Sequence, residues 1–226
     1  MRRILMICLC LTLLCPCTAS AAEAPKYIAL TFDDGPSGRY TRRLLEGLDR
    51  RGAKATFFLC GYRLEQYPEL AGQMVQQGHE IGLHGYSHRD MSALSRRDIA
   101  RELSDTAALL PEHCRVRFLR PPGGCCSDGV RQVARAAGLA IADWSVDPRD
   151  WATQDTAAIG RSILDRVEDG DVVLLHDMTD SSVDAALSIV TQLQERGFCF
   201  VTLSELARIR NVTLRPGAVY RRFPSD

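Results

Sequence analysis

Two adjacent aspartates, Asp33 and Asp34, stand between an apolar run at 27–30 and a Gly-Pro turn. An apolar run that ends in turn residues predicts a strand, and α/β proteins build their sites where strands end. Neighbouring carboxylates repel each other, so keeping both ionised at one place requires a cation, either a metal ion or an arginine. The pair therefore predicts a site that also contains a cation.

Two histidines could bind such a metal. His84 and His88 are separated by three residues and follow the predicted strand 80–83, a spacing at which two imidazoles can reach one ion. Alone, the pair is equally compatible with structural or solvent-exposed histidines. Together with Asp34 it gives two histidines and one carboxylate, which is the ligand set of a hydrolytic zinc site with open positions.

The segment 120–124, Arg-Pro-Pro-Gly-Gly, follows another predicted strand. Its prolines stiffen a turn that could hold Arg120 beside a carboxylate, and its glycines, Gly123 and Gly124, would let backbone N–H groups approach a ligand closely. A rigid surface turn without a functional role is the alternative.

Two more motifs follow predicted strands. His176, in Leu174-Leu175-His176-Asp177, is suited to act as a general acid because the imidazole pKa is near neutral, although a core histidine bonded to its neighbour is the alternative. In the segment 147–151, Trp151 beside carboxylates suits a wall that faces a sugar, but a tryptophan that caps the core is as common. His79 and His113 lack such settings, and we interpret them as structural or surface residues.

Strand and helix patterns alternate along the chain, which predicts a parallel β/α architecture, and about seven strands favour a barrel over an open sheet. The strands are predicted at 27–30, 55–59, 80–83, 116–119, 139–144, 172–175 and 198–201, and the helices at 40–51, 68–77, 95–110, 128–137, 156–167, 183–196 and 204–209. Ser95 and Asp98 predict an N-terminal cap for the third of these helices. No element is predicted in the tail from residue 211.

The length of 226 residues is sufficient for one domain with a substantial core. Basic and acidic residues balance at 28 each, and no basic run stands out, so the composition does not favour a nucleic-acid partner. The sequence does not indicate an oligomeric state.

The first 21 residues have the pattern of a signal peptide: Arg2 and Arg3, an apolar run at 4–14, and small residues that end at Ala21. The apolar run is short for a membrane span of about 20 residues, so we expect cleavage rather than a stable membrane anchor, and a secreted or cell-envelope location. Five cysteines then remain in the mature chain: Cys60, Cys114, Cys125, Cys126 and Cys199. An odd number in an exported protein predicts at least one disulfide and a free thiol, and we expect Cys114 to pair with Cys125 or Cys126.

In this order, the five motifs resemble those of the polysaccharide deacetylase family, the family 4 carbohydrate esterases with a NodB-homology domain. The resemblance covers residues 28 to about 209, and it implies a single catalytic domain at 22–226 with the fold of a distorted (β/α)7 barrel. It implies these roles: Asp33 as general base, Asp34, His84 and His88 as metal ligands, Arg120 as the partner of the base, His176 as general acid, and Asp150 as the residue that orients it. Trp151 and Leu174 would wall the acetyl pocket, and Gly123 would supply a backbone donor.

The resemblance further implies a divalent metal, zinc first and cobalt as an alternative, and an acetylated polysaccharide as substrate. The expected reaction is removal of N-acetyl groups from amino sugars, in peptidoglycan or chitin-type oligomers; O-acetyl xylan esterase activity and a silent sugar-binding module are the alternatives. Two positions depart from the family pattern. Gly85 stands where the family usually has Ser or Thr, a role that Ser87 could take, and Gly123 stands where a tyrosine is common.

Overall fold

Strands and helices alternate in the computed structural model, which describes residues 24–225. The predicted signal peptide at 1–21 lies outside the described residues. The strands are β1 (Lys26–Gly35), β2 (Ala55–Leu59), β3 (Glu80–Leu83), β4 (Phe118–Leu119), β5 (Ala140–Ala142), β6 (Val172–His176), β7 (Phe198–Phe200) and β8 (Val219–Tyr220). The helices are α1 (Arg39–Asp49), α2 (Gly61–Leu64), α3 (Pro68–Gln76), α4 (Arg96–Ala107), α5 (Asp128–Ala136), α6 (Thr156–Leu164), α7 (Asp180–Glu195) and α8 (Leu203–Ile209).

The local sequence explains where the helices lie and begin. In α1, Leu44, Leu45 and Leu48 recur at helical spacing and are fully buried, whereas Arg42 and Glu46 are exposed. The predicted cap of α4 is confirmed, because the Ser95 side chain accepts a hydrogen bond from the Asp98 backbone N–H. These signals fix each helix between two strands.

The strands form one curled parallel sheet in the order β6-β1-β2-β3-β4-β5-β8, with β7 pairing with β1. Strand β1 pairs with two strands in succession: its first residues pair with β7, and its residues from Ala29 to Asp33 pair with β6. Beyond β5, the chain at 145–146 hydrogen-bonds to β6. Because β6 is the strand at the opposite end of the sheet order, this contact curls the sheet toward closure. The fold is therefore the predicted single α/β domain with a barrel-like, distorted sheet.

The core lies inside the curl and between the sheet and its helices. Phe32 of β1 stacks on Phe57 of β2 with ring centres 5.3 Å apart, and both are fully buried. Within residues 24–225, no helix has the length and hydropathy that crossing a membrane requires.

Two elements and several boundaries differ from the prediction: β1 continues to Gly35 instead of ending at residue 30, and α4 and α6 each end three residues before the predicted end. Helix α2 and strand β8 were not predicted, because elements of four and two residues are too short to show a period. Helix α7 begins at Asp180, three residues before the predicted start, because Thr179 caps it by accepting a hydrogen bond from the Ser182 backbone N–H.

The predicted disulfide is wrong, since all five cysteines of the described chain are free. Cys114 packs against the larger core cluster, whereas Cys126 packs against a separate cluster around α4 and α5. Cys125 and Cys199 are exposed, and Cys60 is fully buried after β2. The fold therefore places Cys114 and Cys126 in different hydrophobic clusters. An odd number of cysteines in the sequence says nothing about the distances between them.

Candidate active site

Asp33 and Asp34 lie at the end of β1, as predicted, and an irregularity in the strand lets both serve one site. Neighbouring residues of a regular strand point to opposite faces. Here the register between β1 and β2 shifts between Phe32 and Gly35, and Asp34 adopts a left-handed backbone with φ of 70°. Both carboxylates then lie near His84 Nε2, with Asp33 Oδ2 at 3.8 Å and Asp34 Oδ1 at 3.2 Å. Such irregularities often re-aim side chains at functional sites.

Arg120 supplies the first of the predicted cations. Its Nη1 donates to Asp33 Oδ1 and to Thr31 Oγ1, both at 2.7 Å, and its other nitrogens donate to the backbone oxygens of residues 142 and 143. The guanidinium also lies over the Phe58 ring, 4.2 Å from its centre, and is completely buried. Arg120 is therefore an internal counter-charge for Asp33, and the surface-turn alternative does not describe it.

A second group of side chains could hold a metal ion. One ligand atom each from Asp34, His84 and His88 lie within 4.8 Å of one another, the grouping that the sequence predicted. His88 Nε2 lies 2.9 Å from the same Asp34 Oδ1 that His84 approaches. The three residues come from the ends of β1 and β3 and the loop after β3, which the parallel sheet brings to one edge.

The proton arrangement of this group fits a cation. His84 Nδ1 lies 2.7 Å from the Arg120 backbone oxygen, which can only accept, so Nδ1 is the donor in this contact and a neutral His84 would present the lone pair of Nε2 toward Asp34. Asp34 Oδ1 is buried and accepts no hydrogen bond from the described residues. Two electron-rich atoms that face each other in this way are stabilised by a positive ion between them.

The electrostatics of Asp34 point the same way. Burial alone would raise the pKa of Asp34, but its contacts with His84 and His88 hold that pKa well below the ordinary range. The Asp34 carboxylate in turn raises the pKa of His88. The group thus attracts positive charge, and its nitrogen and oxygen donors suit zinc or a similar divalent metal.

Glu102 of α4, which no sequence motif indicates, organises the loop between the two histidines. Its Oε2 accepts hydrogen bonds from the backbone N–H groups of Tyr86 and Ser87, both at 2.7 Å, and its Oε1 accepts from Ser87 Oγ at 2.6 Å and from Arg89 at 2.8 Å. Ser87 therefore does tie the loop by a hydroxyl, as expected. A glutamate on a helix gives no sequence signal for this role, because its partners lie 13 to 16 residues away.

Gly85 is explained by the same loop. Its φ of 85° disfavours a residue with a side chain, and an added Cβ would lie 2.7 Å from the Met91 side chain. The loop conformation therefore favours glycine over Ser or Thr at this position.

His176 lies beside Asp33, its register partner across the β1–β6 ladder. Asp150 is buried and uses both carboxylate oxygens on His176: one accepts from the backbone N–H and the other lies 2.8 Å from Nδ1. Burial alone would lower the pKa of His176, but the hydrogen bond and charge of Asp150, with Asp33 and Asp34 adding, raise it to about 9. His176 therefore carries a proton at neutral pH, as a general acid must.

The three residues predicted to contact substrate differ in their setting. Leu174 is buried in β6, Gly123 is exposed with φ of 66° in the turn after Arg120, and Trp151, directly after Asp150, is 61% exposed. Their roles as pocket walls and backbone donor stay predictions. His79 is buried at the start of β3, where its Nδ1 accepts from the Ala55 backbone N–H, and His113 is exposed, so neither joins the group.

The comparison with known families agrees with this arrangement. The family model described as polysaccharide deacetylase matches residues 20–142, which contain Asp33, Asp34, His84, His88 and Arg120. The chain belongs to the polysaccharide deacetylase family. The family predicted from the five motifs is thereby confirmed, and with it the assignment of the chain to the hydrolases that act on acetylated polysaccharides.

Relatives within the family support the same assignment. A peptidoglycan-N-acetylglucosamine deacetylase of Bacillus cereus is 38% identical over 192 residues, which cover 82% of this chain and 90% of that protein. The peptidoglycan-N-acetylmuramic acid deacetylase PdaC of Bacillus subtilis is 34% identical over 187 residues, and the chain spans 39% of its length. Among solved structures, a family 4 acetyl xylan esterase from Clostridium thermocellum, in complex with a cobalt ion, superposes with a TM-score of 0.81 at 32% identity and covers 88% of this chain and 100% of its own.

Proposed function

We propose that this protein is a metal-dependent N-deacetylase that acts on amino sugars of a polysaccharide, peptidoglycan first and chitin-type oligomers second. The observation that carries the proposal is the convergence of three features at one edge of the sheet: a metal-binding trio, a carboxylate held by a buried arginine, and a protonated histidine. Together these features can supply what amide hydrolysis requires: activation of water, polarisation of the carbonyl and protonation of the amine as it leaves.

Asp33 is the proposed general base. Its Oδ1 is occupied by Arg120, whereas its Oδ2 faces the trio at 3.8 Å from His84 Nε2. Arg120 stabilises the ionised form and fixes the carboxylate plane, so that Oδ2 remains available to take a proton from water. A divalent ion bound by Asp34, His84 and His88 would polarise the acetamide carbonyl and lower the pKa of a bound water.

His176 is the proposed general acid. Asp150 holds the proton on Nδ1, so Nε2 is the nitrogen that can donate a proton to the departing sugar amine. Because His176 and Asp33 are neighbours across the ladder, base and acid lie on two adjacent strands with the trio beside them. The backbone N–H of Gly123 is proposed to donate to the developing oxyanion, a contact typically worth about 3 to 4 kcal/mol.

The proposed substrate and location rest on the relatives and on the sequence. Two relatives are named for deacetylation of peptidoglycan sugars. The predicted signal peptide at 1–21 would carry the chain out of the cytoplasm. Peptidoglycan lies outside the cytoplasm, so export would bring the protein to this substrate. We therefore propose that the protein is exported to the cell envelope.

The test is an assay of acetate release. Peptidoglycan, chitin oligomers and acetylxylan are each offered to the purified protein, to the protein stripped of metal by a chelator, and to stripped protein reloaded with zinc or with cobalt. We expect release from the N-acetylated glycans, loss of release after stripping, and recovery on reloading.

Other outcomes of this assay identify the alternatives. Release from acetylxylan alone would assign the O-acetyl esterase reaction, which the structural likeness to an acetyl xylan esterase makes a specific second candidate. No release from any substrate by metal-loaded protein would contradict the enzyme assignment and favour a sugar-binding module.

A further inference from the structure

The Asp150 turn presents an unusual surface next to the proton donor. Its tryptophan, Trp151, is 61% exposed, and Val75 at 36% is the other exposed large apolar side chain of the described chain. An exposed indole at the rim of a sugar-processing site is suited to contact the face of a sugar ring. The residue on the other side of Asp150, Arg149, is also exposed.

The backbone of Arg149 brings the two exposed side chains together. Arg149 has a left-handed φ of 56°, its N–H donates to Asp147 Oδ1 at 2.7 Å, and its carbonyl accepts from the Ala152 N–H at 2.9 Å. The guanidinium carbon then lies 5.2 Å from the centre of the Trp151 ring. A left-handed conformation at a residue other than glycine is costly, and it persists where the surrounding structure enforces it.

This pair is fixed to the catalytic group through Asp150. Both oxygens of Asp150 are bound to His176, and the Asp150 side chain is fully buried. The residues on either side of Asp150 are therefore held near the proton donor by adjacent peptide bonds, so their position relative to the reacting amide is set by the fold rather than by a mobile loop.

The charge of Arg149 is uncompensated. Among residues 24–225, its guanidinium makes no hydrogen bond and no ion pair, and stacking on Trp151 is its one described side-chain contact. The proposed reaction centre beside it is rich in carboxylates: Asp33, Asp34 and Asp150. Two of these acids already have a cationic partner within the site, Arg120 for Asp33 and the protonated His176 for Asp150, so Arg149 is a cation left to meet an anionic group of the substrate.

The chemistry of amino sugars identifies what such a cation would meet. The N-acetyl group is attached to C2 of the sugar, so the substituent on C3 is its nearest neighbour. In chitin-type sugars that substituent is a neutral hydroxyl, whereas in muramic acid it is a lactyl ether that ends in a carboxyl group or continues into an acidic stem peptide. An arginine next in sequence to Asp150, which holds the proposed proton donor, is therefore a candidate for distinguishing the two classes.

We propose that Arg149, stacked on Trp151, is a specificity residue that binds a carboxylate on the C3 substituent of a muramic acid unit and so favours peptidoglycan over neutral chitin-type glycans. This inference rests on the proposed function and narrows its substrate. The planar guanidinium suits a carboxylate, because it can offer two parallel N–H donors, which a lysine cannot.

The experiment compares kcat/KM for three substrates of equal length: a chitin oligomer, a muramic-acid oligosaccharide with free lactyl groups, and the same oligosaccharide with stem peptides. The variant is Arg149→Gln, and the matched control is Arg97→Gln, which removes an exposed arginine of α4. We expect the ratio of kcat/KM for the acidic to the neutral substrate to fall about 10-fold in Arg149→Gln, as loss of a charged hydrogen bond predicts, and to be unchanged in the control. Arg149→Lys should recover part of the ratio.

The acidic substrates separate the two sources of the carboxylate. A loss confined to the free-lactyl oligosaccharide assigns the lactyl carboxylate, and a loss confined to the peptide-bearing one assigns the stem peptide. An equal loss on all three substrates, or none, would overturn the proposal, because Arg149 would then only support Trp151 or do nothing. Calorimetric binding of the same oligosaccharides to wild type and Arg149→Gln gives the ratio even if no acetate is released, so a failure of the enzyme assignment is distinguishable.

Discussion

Both ends of the sheet bury an acid beside a histidine, and only one of them has the features of an active site. At the carboxyl end, Asp33 lies near His84; at the amino end, Glu80 begins β3 directly after His79. Glu80 accepts hydrogen bonds from Thr56 Oγ1 at 3.1 Å, from the Ser204 backbone N–H at 3.0 Å and from Ser204 Oγ. These bonds fix the start of α8 against the bottom of the sheet, which is a structural role.

The two ends of the sheet differ in the counter-charge of their buried acid and in backbone strain. Asp33 has a buried arginine as partner, whereas Glu80 is bonded to hydroxyl and backbone donors, and burial raises the pKa of Glu80 despite those contacts. The carboxyl end also has left-handed backbones at Asp34 and His88. Backbone strain beside grouped charged side chains, rather than burial of an acid, therefore marks the site.

The volume of a cavity does not identify the proposed active site either. A cavity of about 730 Å³ opens at the amino end, lined by His79, Glu80, Arg117 and residues of α8. None of the residues proposed for catalysis or metal binding lines it. The comparison teaches that chemistry in this fold is identified from the convergence of charged groups at the strand ends.

The largest expected effect is that of Asp33→Asn. The amide keeps the contact with Arg120 but cannot accept a proton, so we expect kcat for acetate release to fall by about 10² to 10⁴-fold with zinc still bound. The same change at the other end of the sheet, Glu80→Gln, should leave kcat within about two-fold. Steady-state acetate release, with zinc content measured on the same samples, checks both variants.

His84→Ala separates the base from the metal site. This variant should lose zinc as well as turnover, because it removes one of three ligands. If Asp33→Asn retained near-normal turnover, the base assignment would be wrong. If His84→Ala retained zinc at full occupancy, the ligand assignment would be wrong.

The sequence predicted this end of the molecule well because its signals are local. An apolar run before Asp33-Asp34-Gly35 indicates a strand and the end at which the two acids lie, although β1 continues through them to Gly35, and all parallel strands end at the same edge. Position at a strand end therefore brought Asp34, His84 and Arg120 together without knowledge of the contacts. The family resemblance then supplied the division of roles between Asp33 and Asp34.

The next effect concerns the loop between the histidines. Glu102→Gln keeps the size of the side chain but replaces one acceptor oxygen with a donor, so part of the bonding to Tyr86, Ser87 and Arg89 is lost. We expect the zinc dissociation constant to rise about 10-fold, as is typical when the support of a metal ligand is removed. Competition with a zinc-binding dye measures it without substrate. Glu46→Gln, on the exposed face of α1, is the control, and equal dissociation constants for the two variants would refute the role.

A smaller effect is expected in the pH profile. With its pKa raised to about 9, His176 stays protonated below that value, so activity should persist to about pH 9 and be lost as pH rises through it. Asp150→Asn removes the charge that raises this pKa, so the alkaline limb should move toward pH 6.5 or below. Because the folded pKa lies above the unfolded one, the stabilisation from the pair is complete below about pH 6.5 and lost through about pH 9.

The measurement is kcat against pH, together with urea unfolding at pH 6 and pH 10. Asp150→Asn should destabilise the protein more at pH 6 than at pH 10. An alkaline limb at the same pH in both proteins would show that another group titrates there.

Contacts between distant residues are what the sequence did not reveal. Glu102, the stacking of Arg149 on Trp151 and the separation of Cys114 from Cys126 all depend on how helices and loops pack, for which a single sequence has no period or spacing. The disulfide prediction failed for this reason, since it used the cysteine count and not distance. Strand β8, which pairs with β5 through two residues, was missed because its stability comes from the partner strand.

The smallest expected effect is on stability at the amino end of the sheet. Ser204→Ala removes the hydroxyl that donates to Glu80 Oε1 but leaves the backbone donor in place. Loss of one hydrogen bond to a buried carboxyl should lower the free energy of unfolding by about 1 kcal/mol, partly offset because alanine favours a helix. Ser188→Ala, at an exposed position of α7, is the matched control and should be neutral or slightly stabilising. Urea unfolding gives both values, and kcat should not change in either, because the amino end holds α8 and takes no part in the reaction; a fall in kcat for Ser204→Ala alone would show that the two ends of the sheet are coupled.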